Sequence, residues 1–403
     1  MFLLGLAVRN LLRNLRRTAI SSVSVIAGVL VLIVGQGFVD GLDENVIRAQ
    51  EDALSGELQL KPEGYPDDGM TLPLDEAKPI DDALTTALSG PDVVDWAPRV
   101  FAFGRVVAGP DSVRARVLGY DPERDPRVFP RDSWELTGAW PSAPTEVLLS
   151  TGLGSLLDIK PGAMIAIEAR TRAGAINASQ FTVSGVLRTR TPALDASAVW
   201  LPMQTADELL RTEGARSHIA VRVKGGRARA DAAKATITAP GWVGETATES
   251  VADILEINTV RRKAISFMVF ILMAIAATGI ANTVIMATYE RVREIGTLRA
   301  MGMGPMAIRA LFLLEGAATG VVAGAIGAGL GAGIVAHYSR VGIDISQSKD
   351  MGEIPISTIL YMHFAWDPVI TALGFGAIVA VLASVYPAHL AASLNPADAV
   401  RAD

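Results

Sequence analysis

Four stretches of this chain carry no charged residue over lengths that a soluble fold rarely assembles. Ala19–Val39 runs 21 residues, Ala264–Tyr289 runs 26, and Gly316–Ala336 and Pro368–Ala388 run 21 each. An α-helix rises about 1.5 Å per residue and the hydrocarbon core of a bilayer is about 30 Å thick, so about 20 apolar residues span it. The spacing of the runs predicts one span near the N-terminus and three near the C-terminus, with a large polar segment after the first. The apolar core of the first run exceeds the roughly 7–15 residues of a cleaved signal peptide, so it reads as a retained anchor.

Charge sets the expected orientation. Arg9, Arg13, Arg16 and Arg17 precede the first run, and Arg291, Arg293, Arg299 and Arg309 cluster between the second and third. Lys and Arg flanking spans mark the cytoplasmic side. Both termini and the 289–303 segment are therefore expected in the cytoplasm, and residues 42–260 outside, in the periplasm of a bacterial inner membrane. Residues 40–260 contain 33 acidic and 22 basic groups, a net charge of −11, whereas the remainder carries +5. Arg261, Arg262 and Lys263 fall on the outer side of the second span, where snorkelling to headgroups would accommodate them.

The expected organisation is an amphipathic helix over 1–18, a first span over 19–41, an extracytoplasmic α+β domain over 42–260, and a C-terminal block over 261–403. That block divides into a second span (264–288), a short polar helix (289–303), a third span (306–338), an outer loop (339–366), a fourth span (367–389) and a cytoplasmic tail. In 1–18, Leu4, Val8, Leu11 and Leu15 recur at helical spacing opposite the arginines, which suits the headgroup layer. Within 42–260, β-rich runs such as "GELQL", "VRARVLGY", "AMIAIEAR", "FTVSGVL" and "HIAVRVK" alternate with fewer helical ones, "ADELLRT" and "ARADAAKATI". Turn chemistry separates them, and Pro62–Pro79 reads as a loop.

Function classes narrow by exclusion. The sequence contains no cysteine, which removes disulfides, thiolate chemistry and Cys-ligated metals. His218, His337, His363 and His389 show no ligand spacing, so no metal site is expected. No nucleophile–base–acid grouping has meaningful spacing, no basic stripe points to nucleic acid, and no GxxxxGK[ST] loop is present to cradle nucleotide phosphates.

The 289–303 segment is the informative one. Val292, Ile295 and Leu298 recur every third residue and form an apolar stripe about 120° wide. Gly302, Gly304 and Pro305 then end one helix and start another. In the third span Gly316, Gly320, Gly324, Gly327 and Gly331 share a face on which helices can approach closely, with packing inside the chain expected over contact between subunits. Glu315, one turn inside that span, calls for a basic partner, Arg309 or an arginine of 289–303. Asn282 is an expected interhelical hydrogen-bonding group.

"ERVREIGTLRAMGM" (290–303) resembles the signature of the FtsX/MacB/LolC–LolE permeases, the membrane subunits of type VII ABC transporters. "AVRNLLRNLRRTAIS", "EVLLSTGLGSLLDIKPGAMIAIEA", "FTVSGVL", "AVWLPMQTADELL" and "YPAHLAASLNPADAVR" resemble further family segments, in the family's order. The resemblance implies a permease that is not itself an enzyme. It implies that 289–303 is a coupling helix seated in a separate cytoplasmic ABC ATPase dimer, the partner that holds ATP and Mg, with Glu290, Arg291, Arg293, Glu294, Ile295, Leu298, Arg299 and Met301 making the contact. It implies a second permease copy or a paralogue, and a central cavity between them lined by Val25, Val29, Leu32, Phe38, Phe267, Phe270, Met273 and Ile280. An apolar lining suits acyl chains. With "SGELQLKPEGY" after the first span it favours release of lipid-anchored lipoproteins toward the outer membrane. The alternatives are MacB-like efflux of a peptide, antibiotic or lipid through a periplasmic adaptor, and FtsX-like mechanotransmission to a cell-wall hydrolase.

Overall fold

The computed structural model describes residues 15–66, 72–344 and 359–393. The expected N-terminal amphipathic helix, part of the Pro62–Pro79 loop, much of the 339–366 loop and the tail beyond Ser393 fall outside these residues. The chain divides into two compact units, Met1–Glu44 with Leu255–Ile343 and Leu360–Asp403, and Asn45–Ile254 with Asp344–Ile359.

In the first unit, four helices are long and apolar enough to cross a membrane. They are α1 (Leu15–Gln50), α3 (Ala252–Glu290), α5 (Pro305–Val341) and α6 (Trp366–Ser393). Each exceeds its uncharged run, because charges at either end of a helix extend it beyond the hydrocarbon without breaking its backbone hydrogen bonds. α1 runs on past the expected end at residue 41 to Gln50, and its residues from Asn45 onward belong to the other unit. With no hydrophobic drive between helices in lipid, close contact has to come from small side chains. Accordingly, a Cβ on Gly28 would press on Met273, one on Gly35 on Ile265, and one on Gly376 on Val29. Pro387 lies buried inside α6, where its missing N–H interrupts the hydrogen-bond ladder.

The second unit is α+β. Its ten main strands are β1 (Leu58–Pro62), β2 (Val93–Ala108), β3 (Asp111–Tyr120), β4 (Glu135–Gly138), β5 (Glu146–Ser150), β6 (Met164–Arg170), β7 (Ile176–Arg188), β8 (Ala198–Pro202), β9 (His218–Val223) and β10 (Trp242–Thr246). They pair in the order β10-β1-β9-β2-β3-β8-β5-β7-β4, and β6 joins both β2 and β7. That last pairing closes β2, β3, β8, β5, β7 and β6 into a ring. β2 makes both connections. Val93–Arg99 pairs with β9, while Gly104–Val107 pairs with β6 and Arg99–Ala108 with β3. Ring closure removes sheet edges and turns alternate residues inward. The inward set is aliphatic: Val100, Ala102, Val106, Val117, Leu149, Ile165, Ile167, Val183, Val199 and Leu201 form one core, joined by Ala206 and Leu209 of helix α2 (Met203–Leu210). Residues on the opposite face of the sheet, Phe101, Leu118, Tyr120, Leu148 and Trp200, build a second core with Phe129 and Trp134. A third, with Leu58, Leu60, Ile219, Val221 and Trp242, lies on β1, β9 and β10.

Candidate functional site

Between α3 and α5 the chain forms a separate short helix, α4 (Val292–Ala300). The expected 289–303 element is shorter because Arg291 leaves helical geometry (φ −113°, ψ 19°) and breaks the run from α3. The far end closes by two nested bonds: Met303 N–H donates to Leu298 O at 3.0 Å and Gly302 N–H to Arg299 O at 3.1 Å. This is the Schellman arrangement, and Gly302 supplies the left-handed residue it requires, at φ 98°. Pro305 then opens α5 at a position where no N–H is needed.

α4 has two faces. Ile295 and Gly296 are buried, Ile295 joins the core of the membrane unit, and Leu298 packs against that core. Val292 is half-buried, as the three-residue stripe requires. Arg293, Glu294, Thr297 and Ala300 are exposed, and so are Tyr289, Glu290, Met301 and Met306 around them. The sequence-level contact set therefore separates. Glu290, Arg293, Glu294 and Met301 face outward. Arg291 and Ile295 face the chain's own interior, with Leu298 and Arg299 between.

Two ties hold the helix down. Arg291 Nη1 lies 3.6 Å from Glu315 Oε1, with both side chains largely buried. Arg299 Nη1 donates to Ala392 O on α6 at 3.4 Å. Glu315 thus has a basic partner of the kind its position calls for, and the partner is Arg291. Beside it the glycine face of α5 packs wholly within the unit. A Cβ on Gly316 would overlap Ser384, and one on Gly320 would overlap Ala380. One on Gly324 would meet Leu373 at 3.1 Å, one on Gly327 the Ile26 carbonyl at 2.7 Å, and one on Gly331 Ile33 at 3.1 Å. The stripe seats α6 with its first part and α1 with its last.

The expected cavity residues divide between the interior and the surface of this unit. Val25, Val29, Leu32, Met273 and Ile280 are buried in its core. Met273 lies against Gly28 of α1, and Val29 against Gly327 of α5 and Gly376 of α6. Phe267 and Phe270 are exposed at 66% and 63%, with Phe38 near the limit at 37%. Asn282 is also exposed. Phe267 and Phe270 stand on an exposed apolar flank of α3 together with Met268, Ile271 and Ile275.

At the other end of α1 and α3 lies a polar cluster that sequence reasoning missed. Arg262 pairs with both Asp40 and Asp43. Asn258 donates to Asp43 at 2.6 Å, and Arg261 donates to Asn258 at 2.6 Å. Asp40 and Asp43 follow the first uncharged run directly, and Arg262 precedes the second by two residues. That symmetry was the available signal, so Arg262 is paired within the protein and does not snorkel to headgroups.

The fold and this arrangement define a multi-pass membrane protein. A large α+β domain follows its first span, and a half-buried surface helix separates its second and third. A model described as MacB-like periplasmic core domain matches residues 18–239, and one described as FtsX-like permease C-terminal matches residues 266–396. The chain belongs to the family of FtsX/MacB-like permeases. It is similar to an uncharacterized ABC transporter permease of Methanocaldococcus jannaschii, 24% identical over 238 residues, covering 57% of this chain and 56% of that one. Lipoprotein-releasing system transmembrane protein LolC of Neisseria meningitidis serogroup B is 22% identical over 285 residues, 64% of this chain and 65% of that one. The macrolide export ATP-binding/permease protein MacB of Hahella chejuensis is 27% identical over 235 residues, 56% of this chain and 34% of that one. These alignments span from a third to just under two-thirds of the relatives' lengths. The periplasmic region of MacB from Actinobacillus actinomycetemcomitans is 14% identical with a TM-score of 0.33, covering 49% of this chain and 92% of that one.

Proposed function

We propose that the chain is the membrane subunit of an ATP-driven transporter, and that α4 receives force from an ATPase dimer on the cytoplasmic side. One observation carries this reading. α4 is anchored on one face by Ile295, Arg291 and Arg299, and presents Glu290, Arg293, Glu294 and Met301 on the other. A helix merely resting on headgroups would turn its apolar face to lipid. Here the apolar face is used within the chain, which leaves a charged, methionine-edged surface for a protein groove. The arginines flanking α1 and α4 support the cytoplasmic placement of both termini. ATP and Mg are held by the ATPase, on a separate chain. A second permease copy or a paralogue completes the pair over that dimer.

The experiment is a double substitution, Arg293→Ala with Glu294→Ala, both exposed and outside the Arg291 and Arg299 ties. Loss of ATPase co-purification, with the permease still folded, is the expected result. Undiminished co-purification and transport would remove the assignment. Replacing Arg299 would be less clean, because it also cuts the bond to Ala392.

For substrate we propose lipoproteins of the outer leaflet, handed toward the outer membrane by way of a periplasmic acceptor. The match to a lipoprotein-releasing permease over 285 residues supports this. The matches to macrolide exporters favour the competing reading of efflux through an adaptor. Photocrosslinkers at Phe267 and Phe270, which face outward, decide between them. Captured acylated protein is expected. Capture of phospholipid alone, together with macrolide-stimulated ATP hydrolysis, would favour efflux.

A further inference from the structure

Arg99 and Arg131 of the α+β domain share one carboxylate. Arg99 Nε donates to Asp125 Oδ1 at 2.8 Å, and Arg131 Nη2 donates to Asp125 Oδ2 at 3.4 Å. Arg99 and Asp125 are fully buried, while the Arg131 side chain is 22% exposed. Among the described residues no second carboxylate pairs with either arginine, so two positive charges face one negative. Burial does most to pull the Arg99 pKa down, Asp125 opposes it, and Arg131 adds to the fall. A charge taken out of water without a counter-charge is costly.

The same place is short of hydrogen-bond acceptors. Arg99 Nη2, Arg131 Nε and Trp134 Nε1 are buried donors with no partner among the described residues. Arg99 Nη1 is already engaged with the Ala53 and Leu54 carbonyls. Neither a guanidinium nor an indole N–H can accept a bond, so these donors cannot satisfy one another. They lie on one circuit of contacts. Arg131 stands 5.8 Å over the Trp134 ring, Trp134 meets Trp200 at 5.4 Å, and Arg99 stands 5.4 Å over Trp200. Half-buried Trp140 stacks on Arg131 at 3.8 Å and forms the solvent side of the cluster with it. Trp140 belongs to the irregular segment 139–145, so its ring can turn aside without breaking a strand. We propose that this aromatic-walled cluster binds a carboxylate, with Arg131 Nε and Trp134 Nε1 donating to its oxygens and Arg99 Nη2 as the deepest donor. Aromatic walls with a few placed polar groups are what a small-ligand site needs, and arginine matches the two oxygens of a carboxylate. One negative charge balances the surplus, which a phosphate dianion would overshoot. The site lies wholly within Asn45–Ile254 and does not depend on what α4 docks.

The test reads tryptophan fluorescence of the full chain in nanodiscs of zwitterionic lipid, at fixed ionic strength. Acetate, trialanine, trialanine amide and inorganic phosphate are titrated in turn. Acetate and trialanine should give saturable changes, and the tighter of the two tells a small free acid from a peptide end. Trialanine amide, which lacks the carboxylate, should give none, and phosphate should bind more weakly than acetate. Arg131→Met should weaken carboxylate binding about tenfold, and Trp134→Phe, which keeps a ring and loses the N–H, about fivefold. Arg127→Met, at an exposed arginine nearby in sequence, should leave it unchanged. Circular dichroism checks folding, and if Arg131→Met does not fold, Trp134→Phe decides alone. No saturable change with either carboxylate, an equal response to the amide, or tighter binding of phosphate overturns the site. So does an affinity that Trp134→Phe leaves unaltered, or that Arg127→Met lowers as much.

Discussion

Arg291 Nη1 stands 3.6 Å from Glu315 Oε1 across the junction where α3, α4 and α5 meet, and neither side chain has appreciable access to solvent. The pair fixes the start of α4 to the third span. Removing one partner of a buried pair strands a charge and costs about 3–5 kcal/mol. Arg291→Met should therefore lower stability by about that amount in denaturant titration of the micellar protein. Arg291→Met with Glu315→Leu should recover most of it. A single variant as stable as the parent would show that the pair contributes nothing.

The two glycine faces of α5 should respond oppositely. A Cβ on Gly320 would overlap Ala380, whereas one on Gly329 meets nothing within 4 Å. Overpacking typically costs about 1–3 kcal/mol, while Gly to Ala in an open helical position gains up to about 1 kcal/mol. Gly320→Ala should lower the thermal midpoint and Gly329→Ala should hold or raise it. Equal effects would contradict the assignment of the Gly316–Gly331 stripe to contacts within the chain.

His218 gives the α+β domain an acid sensitivity with a defined sign. Burial, aided by Lys61, Arg116 and Arg99, lowers its pKa to about 3 from an ordinary 6.5. It is enclosed by Tyr65 and Phe101, with ring centroids 5.1 and 4.8 Å away. Between those two values the unfolded chain binds a proton that the folded domain refuses. Stability is fully present above pH 6.5 and is lost toward pH 3, at about 1.4 kcal/mol per pH unit. Five of the six tryptophans (Trp96, Trp134, Trp140, Trp200, Trp242) lie in this domain, so their fluorescence reports its unfolding. His218→Gln should flatten the dependence in that window. An unchanged slope would place the titrating group elsewhere.

Arg262, shared between Asp40 and Asp43, joins the C-terminal part of α1 to the N-terminal part of α3. Being partly exposed, it should contribute modestly, about 1 kcal/mol per pair in double-mutant cycles of Arg262→Ala with Asp40→Ala and with Asp43→Ala. Strict additivity in both cycles would dismiss the cluster as incidental.

Legibility followed the strength of the physical signal. The four spans were plain in the sequence because no charge interrupts them, and α4 because its apolar period is three and its end carries glycines. The longest strand, β2, was not read. Its 16 residues, "VVDWAPRVFAFGRVVA", include Pro98, Gly104 and two arginines, and it changes partners midway, so no single alternation runs through it. Ring closure needs β6 to pair with β2, Gly104 against Ala169, a contact distant in sequence that left no local trace. Around α4 the expected contact residues point in mixed directions. Periodicity assigns Ile295 and Leu298 to an apolar stripe, but the inward turn of Arg291 depends on Glu315 lying 24 positions away. The expected cavity residues divide for a related reason: in a membrane protein, apolar periodicity marks a helix core and a lipid face equally well.

The central claim is that the outward face of α4 docks a nucleotide-driven partner. The most direct measurement uses the absence of cysteine in the chain. Single cysteines at Glu294 and Met301 on the exposed α4 surface, and at Ile326 on an exposed flank of α5, are crosslinked in membranes of the cells that make the protein. The account predicts that Glu294→Cys and Met301→Cys capture an ATP-binding protein carrying a phosphate-binding loop, in a yield that ATP changes, and that Ile326→Cys does not. Equal capture at all three positions, or none at Glu294 and Met301, would contradict it.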